Sequence, residues 1–286
     1  MRFLTEKPAH DLTYNDVFMA PNRSSVTSRM DVDLTSTDGV GSPLPLVVAN
    51  MTAISGRRMA ETVARRGAIA VLPQDIPTDF VKKSIDRVKA AHPVFDTPVQ
   101  VSPTTTLIPA AALIVLGLMG KRAHGIVLVV EDGHVLGTIG ADEAQGVDRF
   151  SQVRDLLRTD VALVDEDSTP QQVFDTLTSL HQGVAACVRD DRLVGVMTLK
   201  GALRAALYRP ALDPDGYLMV GTAVGINGDV AGRTRSLLDA RADVLVVDTA
   251  HGHQEKMISA LEVVASVRDE HLSETGRRVP IVAGNV

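Results

Sequence analysis

His124-Gly-Ile-Val-Leu-Val-Val-Glu-Asp-Gly-His-Val-Leu-Gly137 and Gln182-Gly-Val-Ala-Ala-Cys-Val-Arg-Asp-Asp-Arg-Leu-Val-Gly195 are two copies of one pattern. Each reads as a short apolar strand, a charged two-residue turn and a second strand, which is the signature of a β-hairpin. Upstream, Val99-Gln-Val-Ser-Pro-Thr-Thr-Thr106 parallels Ala162-Leu-Val-Asp-Glu-Asp-Ser-Thr169, and both end in hydroxyl residues suited to capping a helix. The unit of strand, capped helix, hairpin and helix therefore occurs twice. It occupies residues 94–213, divided into 94–157 and 158–213.

Outside the repeat, residues 1–93 and 214–286 follow another rhythm. Pro45-Leu-Val-Val-Ala-Asn50 and Ala68-Ile-Ala-Val-Leu72 read as buried strands, with a helix from Arg57 to Arg66 between them that stops at Gly67. A second helix starts at Pro77 and runs to His92. After the repeat come strands at 218–225, 243–248 and 279–286, with helices to about Arg241 and from Gln254 to about His271. Near-continuous β-branched runs alternating with helices imply parallel strands buried on both faces.

The five strands suit either an open doubly wound sheet or part of a barrel. A closed (β/α)8 barrel takes about 250 residues, more than the outer segments supply. The sequence halts on its fifth strand without a covering helix. The fold expected is an incomplete (β/α)8 TIM barrel, its first five strands present and its chain interrupted by the repeat, with an apolar edge exposed.

Composition narrows the function classes. The 286 residues are 45% hydrophobic with 3% aromatics and no tryptophan, so the cores are aliphatic. A net charge of −6 without a basic block argues against nucleic acid and anionic membrane as partners. The longest apolar run, Leu107 to Gly120, contains Pro109 and is shorter than the about 20 residues that cross a bilayer. MRFLTEKPAH has no secretion-signal core, so a cytoplasmic location is expected. Cys187 is the only cysteine, which excludes an intrachain disulfide, and its strand position predicts an inert buried thiol.

In a parallel barrel the chemistry sits on the loops after the strands. Those loops hold Ala49-Asn-Met-Thr-Ala53, Pro73-Gln-Asp75, Asp248-Thr-Ala-His-Gly-His253 and Gly284-Asn285. Asp248 ends an apolar strand, where a carboxylate is costly without partners; it could grip a ribose or cap a helix. Met51 is either barrel filling or a soft surface for a flat heterocycle. His251 and His253 lack a third ligand, so loop hydrogen bonding is expected there and no metal.

Leu12-Thr-Tyr-Asn-Asp-Val-Phe-Met-Ala-Pro21, Val47-Val-Ala-Asn-Met51, Val246-Val-Asp-Thr-Ala-His-Gly-His253 and Val282-Ala-Gly-Asn-Val286 together resemble the IMP dehydrogenase/GMP reductase family. The likeness runs through the chain in order, and it is most marked to the actinobacterial GMP reductases that carry CBS domains. It implies that the repeat is a tandem CBS (Bateman) module inserted after the second barrel helix. It also implies that Asp248, Thr249, Ala250 and Asn285 contact a nicotinamide cofactor and that Met51 touches the purine nucleotide. The family's nucleophile is a cysteine past the fifth strand, which forms a covalent thioimidate at purine carbon 2; it is expected after Val286, so no catalytic residue lies in this stretch and alone it should not turn over.

Two reactions are open. Asn22 to Leu34 resembles the reductase segment whose Ser-Arg pair, here Ser28 and Arg29, reaches NADPH across a subunit boundary, and an arginine suits a ribose phosphate. Ala49-Asn50-Met51 also has the reductase form. Thr249-Ala-His-Gly-His has the form typical of bacterial dehydrogenases, which oxidise IMP to XMP with NAD. The reading favoured is NADPH-dependent reductive deamination of GMP to IMP, a step of purine salvage, with potassium as a family-implied monovalent cation.

In CBS modules a Thr/Ser and an Asp three residues on hold a ribose. Here Gly140 and Glu143 stand at those places in the first copy, and Thr198 and Gly201 in the second. An ATP or GTP effector and a purely structural or assembly role both stay open. The family's habit implies a homotetramer or octamer. From another class, the chain could belong to a nucleotide-sensing or assembly protein without catalysis, because the loops after the first two strands depart from the dehydrogenase residues.

Overall fold

A computed structural model describes residues 6, 7, 9–108, 110 and 124–284. The chain divides into two units, one ending at Asp33 and one starting at Leu34. The first holds two single 3-10 turns, Tyr14–Asp16 and Arg29–Asp31. Each is closed by its own cap: the Thr13 N–H donates to the Asp16 carboxylate at 2.8 Å, and the Ser28 N–H to Asp31 at 3.2 Å.

The second unit opens with β1 (Val47–Val48), α1 (Arg57–Ala64), β2 (Ile69–Leu72) and α2 (Thr78–Lys89). β1 is shorter than the run Pro45–Asn50 suggests. Pro45 has no N–H to give a ladder, and the Met51 N–H turns back onto the Ala49 carbonyl at 2.8 Å. Gly67, at φ +89°, ends the turn after α1, where a Cβ would strike the Arg209 carbonyl at 2.7 Å.

The repeat follows as β3 (Gln100–Val101), β4 (Val127–Glu131) and β5 (His134–Ile139), then β6 (Ala162–Asp165), α3 (Pro170–Ser179), β7 (Val184–Arg189), β8 (Arg192–Thr198) and α4 (Leu199–Ala205). The helix expected after Thr106 falls largely outside the described residues. Each copy forms a three-stranded sheet with a parallel first pair and an antiparallel hairpin. Asp132-Gly133 and Asp190-Asp191 all have positive φ, as a tight hairpin turn requires. Even the register shift recurs, at Val129/Val130 and at Cys187/Val188, which are aligned positions of the two copies.

The chain then returns to the first sheet with β9 (Gly221–Val224), α5 (Val230–Asp239), β10 (Val244–Asp248), α6 (Glu255–Thr275) and β11 (Ile281–Gly284). α6 passes the expected stop at His271 and ends at Gly276, which takes the left-handed conformation at φ +72°. The five strands are all parallel in the order β1-β2-β9-β10-β11. β9 pairs with β2 through Val71↔Gly221 and Leu72↔Thr222, so the outer segments join across the insertion.

Alternation along the strands shows both faces covered. Ala70, Leu72, Leu245 and Val247 pack with the helices through Ala60, Val81, Ile85, Leu237 and Val264. Ile69, Val71, Val244 and Val246 form a separate cluster with Met219 and Ala223 on the other face. Burial on both sides explains the unbroken apolar runs. At the β1 edge Leu46 and Val47 are exposed, as an unpaired edge predicts.

The two copies exchange their leading segments. Phe95 is buried in the core of the second copy with Ala162, Val173 and Leu177. Asp96 and Val196 trade backbone hydrogen bonds at 2.8 and 2.9 Å, while Arg158 and Thr138 do the same at 2.8 Å in the first copy. Aligned glycines admit both segments. A Cβ on Gly195 would lie 2.5 Å from that of Phe95, and one on Gly137 would lie 2.5 Å from the Leu157 Cδ1.

A buried charge cluster ties the root of the insertion to the sheet. Lys89 Nζ, at the end of α2, donates to Asp213 at 2.8 Å and to Asp243 at 2.6 Å. Asp243 also accepts from Arg277 at 2.6 Å and from the Val220 N–H at 2.7 Å. Its acceptor oxygens are thus met, yet burial outweighs these partners and holds its pKa above the usual 3.8.

Candidate functional site

The C-terminal ends of β2, β9 and β10 open onto a cleft of about 540 Å³. Gln74 and Asp75 line it from the loop after β2, Gly225 to Asn227 from the loop after β9, and Asp248 to Ala250 from the end of β10. Arg233, Gln254 and Lys256 complete the wall from the helices that follow. This is the end at which a parallel α/β sheet presents its ligand-binding loops.

Asp248 is the last residue of β10, so the strand itself aims it. Its Oδ2 accepts from Asn50 Nδ2 at 2.9 Å. In a flat sheet β1 and β10 would stand three strand spacings, about 14 Å, apart. Contact between their end residues therefore requires the sheet to curl, as half of a barrel does. Asn50 is set in turn by its own loop: Met51 accepts at its carbonyl from Ile54 at 2.9 Å and Ser55 at 2.8 Å. The buried Ser55 hydroxyl then donates to the Val71 carbonyl at 2.5 Å, stapling that loop to β2.

The remainder of the cleft is polar. The Thr249 hydroxyl accepts from Gln254 Nε2 at 2.8 Å, bracing the β10 loop against the first turn of α6. Lys256 donates to Asn227 Oδ1 at 2.5 Å across the cleft mouth. Arg233 Nη1 reaches the Ile76 carbonyl and the Thr78 hydroxyl at 3.4 Å, while its Nε and Nη2 are buried with no partner among the described residues. Burial holds the Arg233 guanidinium below its usual pKa, with the Asp75 charge opposing. The Gln74 Oε1 is likewise buried with no partner. Such donors and acceptors beside a carboxylate suit a ligand rich in hydroxyl and amide groups.

Asp248, Thr249 and Ala250, singled out in sequence, come together on this cleft. Met51 lies on the neighbouring loop, is 57% exposed and does not line the cleft. Ser28 and Arg29 belong to the first unit, where Ser28 Oγ accepts from the Met30 N–H at 3.1 Å. Asn285 is outside the described residues. His251 and His253 sit exposed on the loop with ring centroids 6.2 Å apart. No group of three metal-ligating side chains is found among the described residues. Sequence reading missed Arg233, Gln254 and Lys256, although helix starts directly after the β9 and β10 loops point to them.

Cys187 lies fully buried on β7, far in the chain from these loops. Burial pushes its thiol up to about 12, with Glu166 and Asp165 adding to the shift. No helix among the described residues is long and apolar enough to cross a membrane.

Comparison with known proteins agrees with this arrangement. A GMP reductase of Mycobacterium tuberculosis is 48% identical over 288 residues, covering 100% of this chain and 57% of that protein. An inosine-5'-monophosphate dehydrogenase of Staphylococcus saprophyticus is 28% identical over 283 residues, covering 96% of the chain and 55% of that protein. The chain thus spans little more than half the length of these relatives. Among solved structures, a Trypanosoma brucei GMP reductase in complex with guanosine 5'-triphosphate matches with a TM-score of 0.62 and 29% identity, over 96% of this chain and 66% of that one. The family model for the IMP dehydrogenase / GMP reductase domain matches residues 11–286, so parallel half-barrel, cleft and sequence converge: the chain belongs to the IMP dehydrogenase / GMP reductase family.

Proposed function

We propose that the protein carrying this chain is a GMP reductase, converting GMP to IMP and ammonia at the expense of NADPH. The observation that carries the reading is Asp248 at the end of β10, held by Asn50 on a polar cleft. A carboxylate there can accept both hydroxyl protons of a ribose, the group that a nicotinamide cofactor presents. NADPH, when bound, supplies the hydride. Asp248, Thr249 and Ala250 orient its nicotinamide end, Ser28 and Arg29 favour the phosphorylated ribose, Asn285 adds a cofactor contact, and Met51 packs on the purine. The nucleophile that forms the thioimidate lies outside this chain, because Cys187 is buried and protonated.

The greater likeness to the mycobacterial reductase than to the staphylococcal dehydrogenase supports the reductase direction. The Thr249-Ala250-His251 loop keeps IMP dehydrogenation with NAD as the second reading. The repeat is read as a tandem CBS module, with ATP or GTP as effector and a homotetramer or octamer as the assembly. Steady-state assays of the whole protein test the reaction. NADPH loss with GMP is expected; NAD reduction with IMP and no NADPH loss with GMP would overturn it.

A further inference from the structure

We infer that Asn50 is a positioning residue for cofactor binding, acting through Asp248. The inference rests on the reading of Asp248 as a ligand of the cofactor ribose. Asn50 does not line the cleft, whereas Asp248 does. Its amide instead reaches the Asp248 carboxylate from the neighbouring loop at 2.9 Å, joining positions far apart in sequence. Whatever Asn50 contributes to a ligand in the cleft passes through that hydrogen bond.

The chemistry of the donor matters. Two aspartates bound the β10 region, Asp243 just before the strand and Asp248 at its end. Asp243 is held by two cations, Lys89 at 2.6 Å and Arg277 at 2.6 Å. Asp248 receives a neutral amide from Asn50. An amide donor can fix the rotamer of a carboxylate without itself bringing a charge to it. Asn50 is itself prearranged, because the loop from Ala49 to Ser55 is closed on the Met51 carbonyl and stapled to β2 by Ser55. A side chain so held carries the geometry of β1 and β2 to a residue of β10. One amide thereby makes the two halves of the split sheet jointly responsible for a single carboxylate.

The test is equilibrium NADPH binding to the whole protein, followed by fluorescence, with thermal melting as a check on folding. Asn50→Ala should weaken NADPH binding by about tenfold to a hundredfold, the scale of a charge-assisted hydrogen bond, with KM for NADPH rising more than kcat falls. Asp248→Asn should weaken binding at least as much, and the double variant should be no worse than Asp248→Asn alone, because both changes break one path.

Asn50→Asp supplies a readout that a merely structural role would not move. Two carboxylates within hydrogen-bonding distance share a proton, and the protonated partner then donates as the amide did. NADPH affinity of this variant should therefore improve as pH falls, unlike that of the wild type. Unchanged binding in Asn50→Ala, effects that multiply in the double variant, or a flat pH profile in Asn50→Asp would each overturn the role of Asn50. Failure of the wild type to bind NADPH, or indifference of binding to Asp248→Asn, would bring down the reading of Asp248 itself and the inference with it.

Discussion

Gly195 and Phe95 meet so closely that a Cβ on the glycine would lie 2.5 Å from the Cβ of the phenylalanine. The aligned Gly137 is crossed in the same way by Arg158, whose carbonyl oxygen a Cβ there would strike, so the missing side chain is a repeated structural requirement. Each hairpin is thin at this point because the leading segment of its neighbour lies across it.

Gly195→Ala should destabilise the chain by about 1–3 kcal/mol, the usual cost of forcing extra volume into a packed core. Phe95→Ala should cost about 3–5 kcal/mol by emptying the second copy's core. A double variant joining Gly195→Ala to Phe95→Gly should cost less than its two singles summed, because the new methyl meets the Phe95 Cβ itself, an atom that Phe95→Ala keeps and Phe95→Gly removes. Denaturant titration of the two single variants and the double variant measures this, and strict additivity would show that the contact is slack.

Lys89→Met should cost about 3–5 kcal/mol, because it leaves two buried carboxylates facing each other. The pH dependence separates this from lost packing. Burial pushes Asp213 up, but its bond to Lys89 and the Tyr217 N–H outweigh that and leave it below the usual 3.8. In the wild type its contribution is present above 3.8 and lost as pH falls through the lowered value. In the variant the carboxylates gain by taking a proton, so its deficit should shrink on acidification. A deficit independent of pH would point to packing alone.

His92 Nδ1 accepts from the Val94 and Phe95 N–H groups, both at 3.0 Å, so that nitrogen must be unprotonated. Burial is the main cause holding its pKa below 6.5, while Glu166 pulls it up. The unfolded chain therefore takes a proton near 6.5 that the folded chain accepts only at lower pH. The stability this contributes is complete above that value and is lost as pH falls through the lowered one. Melting temperatures between about pH 7.5 and pH 5.5 should drop more for the wild type than for His92→Asn. Equal drops would assign the titration elsewhere.

Cys187 should resist thiol reagents in the folded protein, since burial both hides it and holds it protonated with a pKa of about 12. Labelling should follow unfolding, and Cys187→Ser should leave turnover by the whole protein unchanged apart from some loss of stability. Rapid labelling under native conditions, or loss of kcat without loss of fold, would contradict this.

The parallel sheet was legible because residues such as those of β10 are apolar on both faces, and few other arrangements bury such a run. The hairpins were legible through their repeated turns. Asp248 stood out as a charge ending an apolar strand. Its partner Asn50 did not, because their contact exists only once the sheet curls. Lys89 reads as an ordinary residue near the end of an amphipathic helix, and nothing local announces that two aspartates, one ending the insertion and one beyond it, enclose it. Phe95 lies between His92-Pro93 and Thr97-Pro98, a stretch that looks like a linker. Its burial depends on a strand that appears much later in the chain.

The charge cluster at Lys89 marks where the insertion departs and returns, after the end of α2 and before the start of β9, at the opposite pole of the strands from Asp248. An appendage rooted there can grow or turn without placing an atom beside the cleft. Like α2, which runs from the cleft loop at Asp75 to Lys89, α1 has a foot at each pole. Its leading loop carries Asn50 and Met51, and Arg65 just past its end grips the His92 carbonyl at 2.9 Å and Thr97 at 3.2 Å where the insertion begins. A shift of the appendage therefore has short mechanical levers by which the opposite pole can feel it.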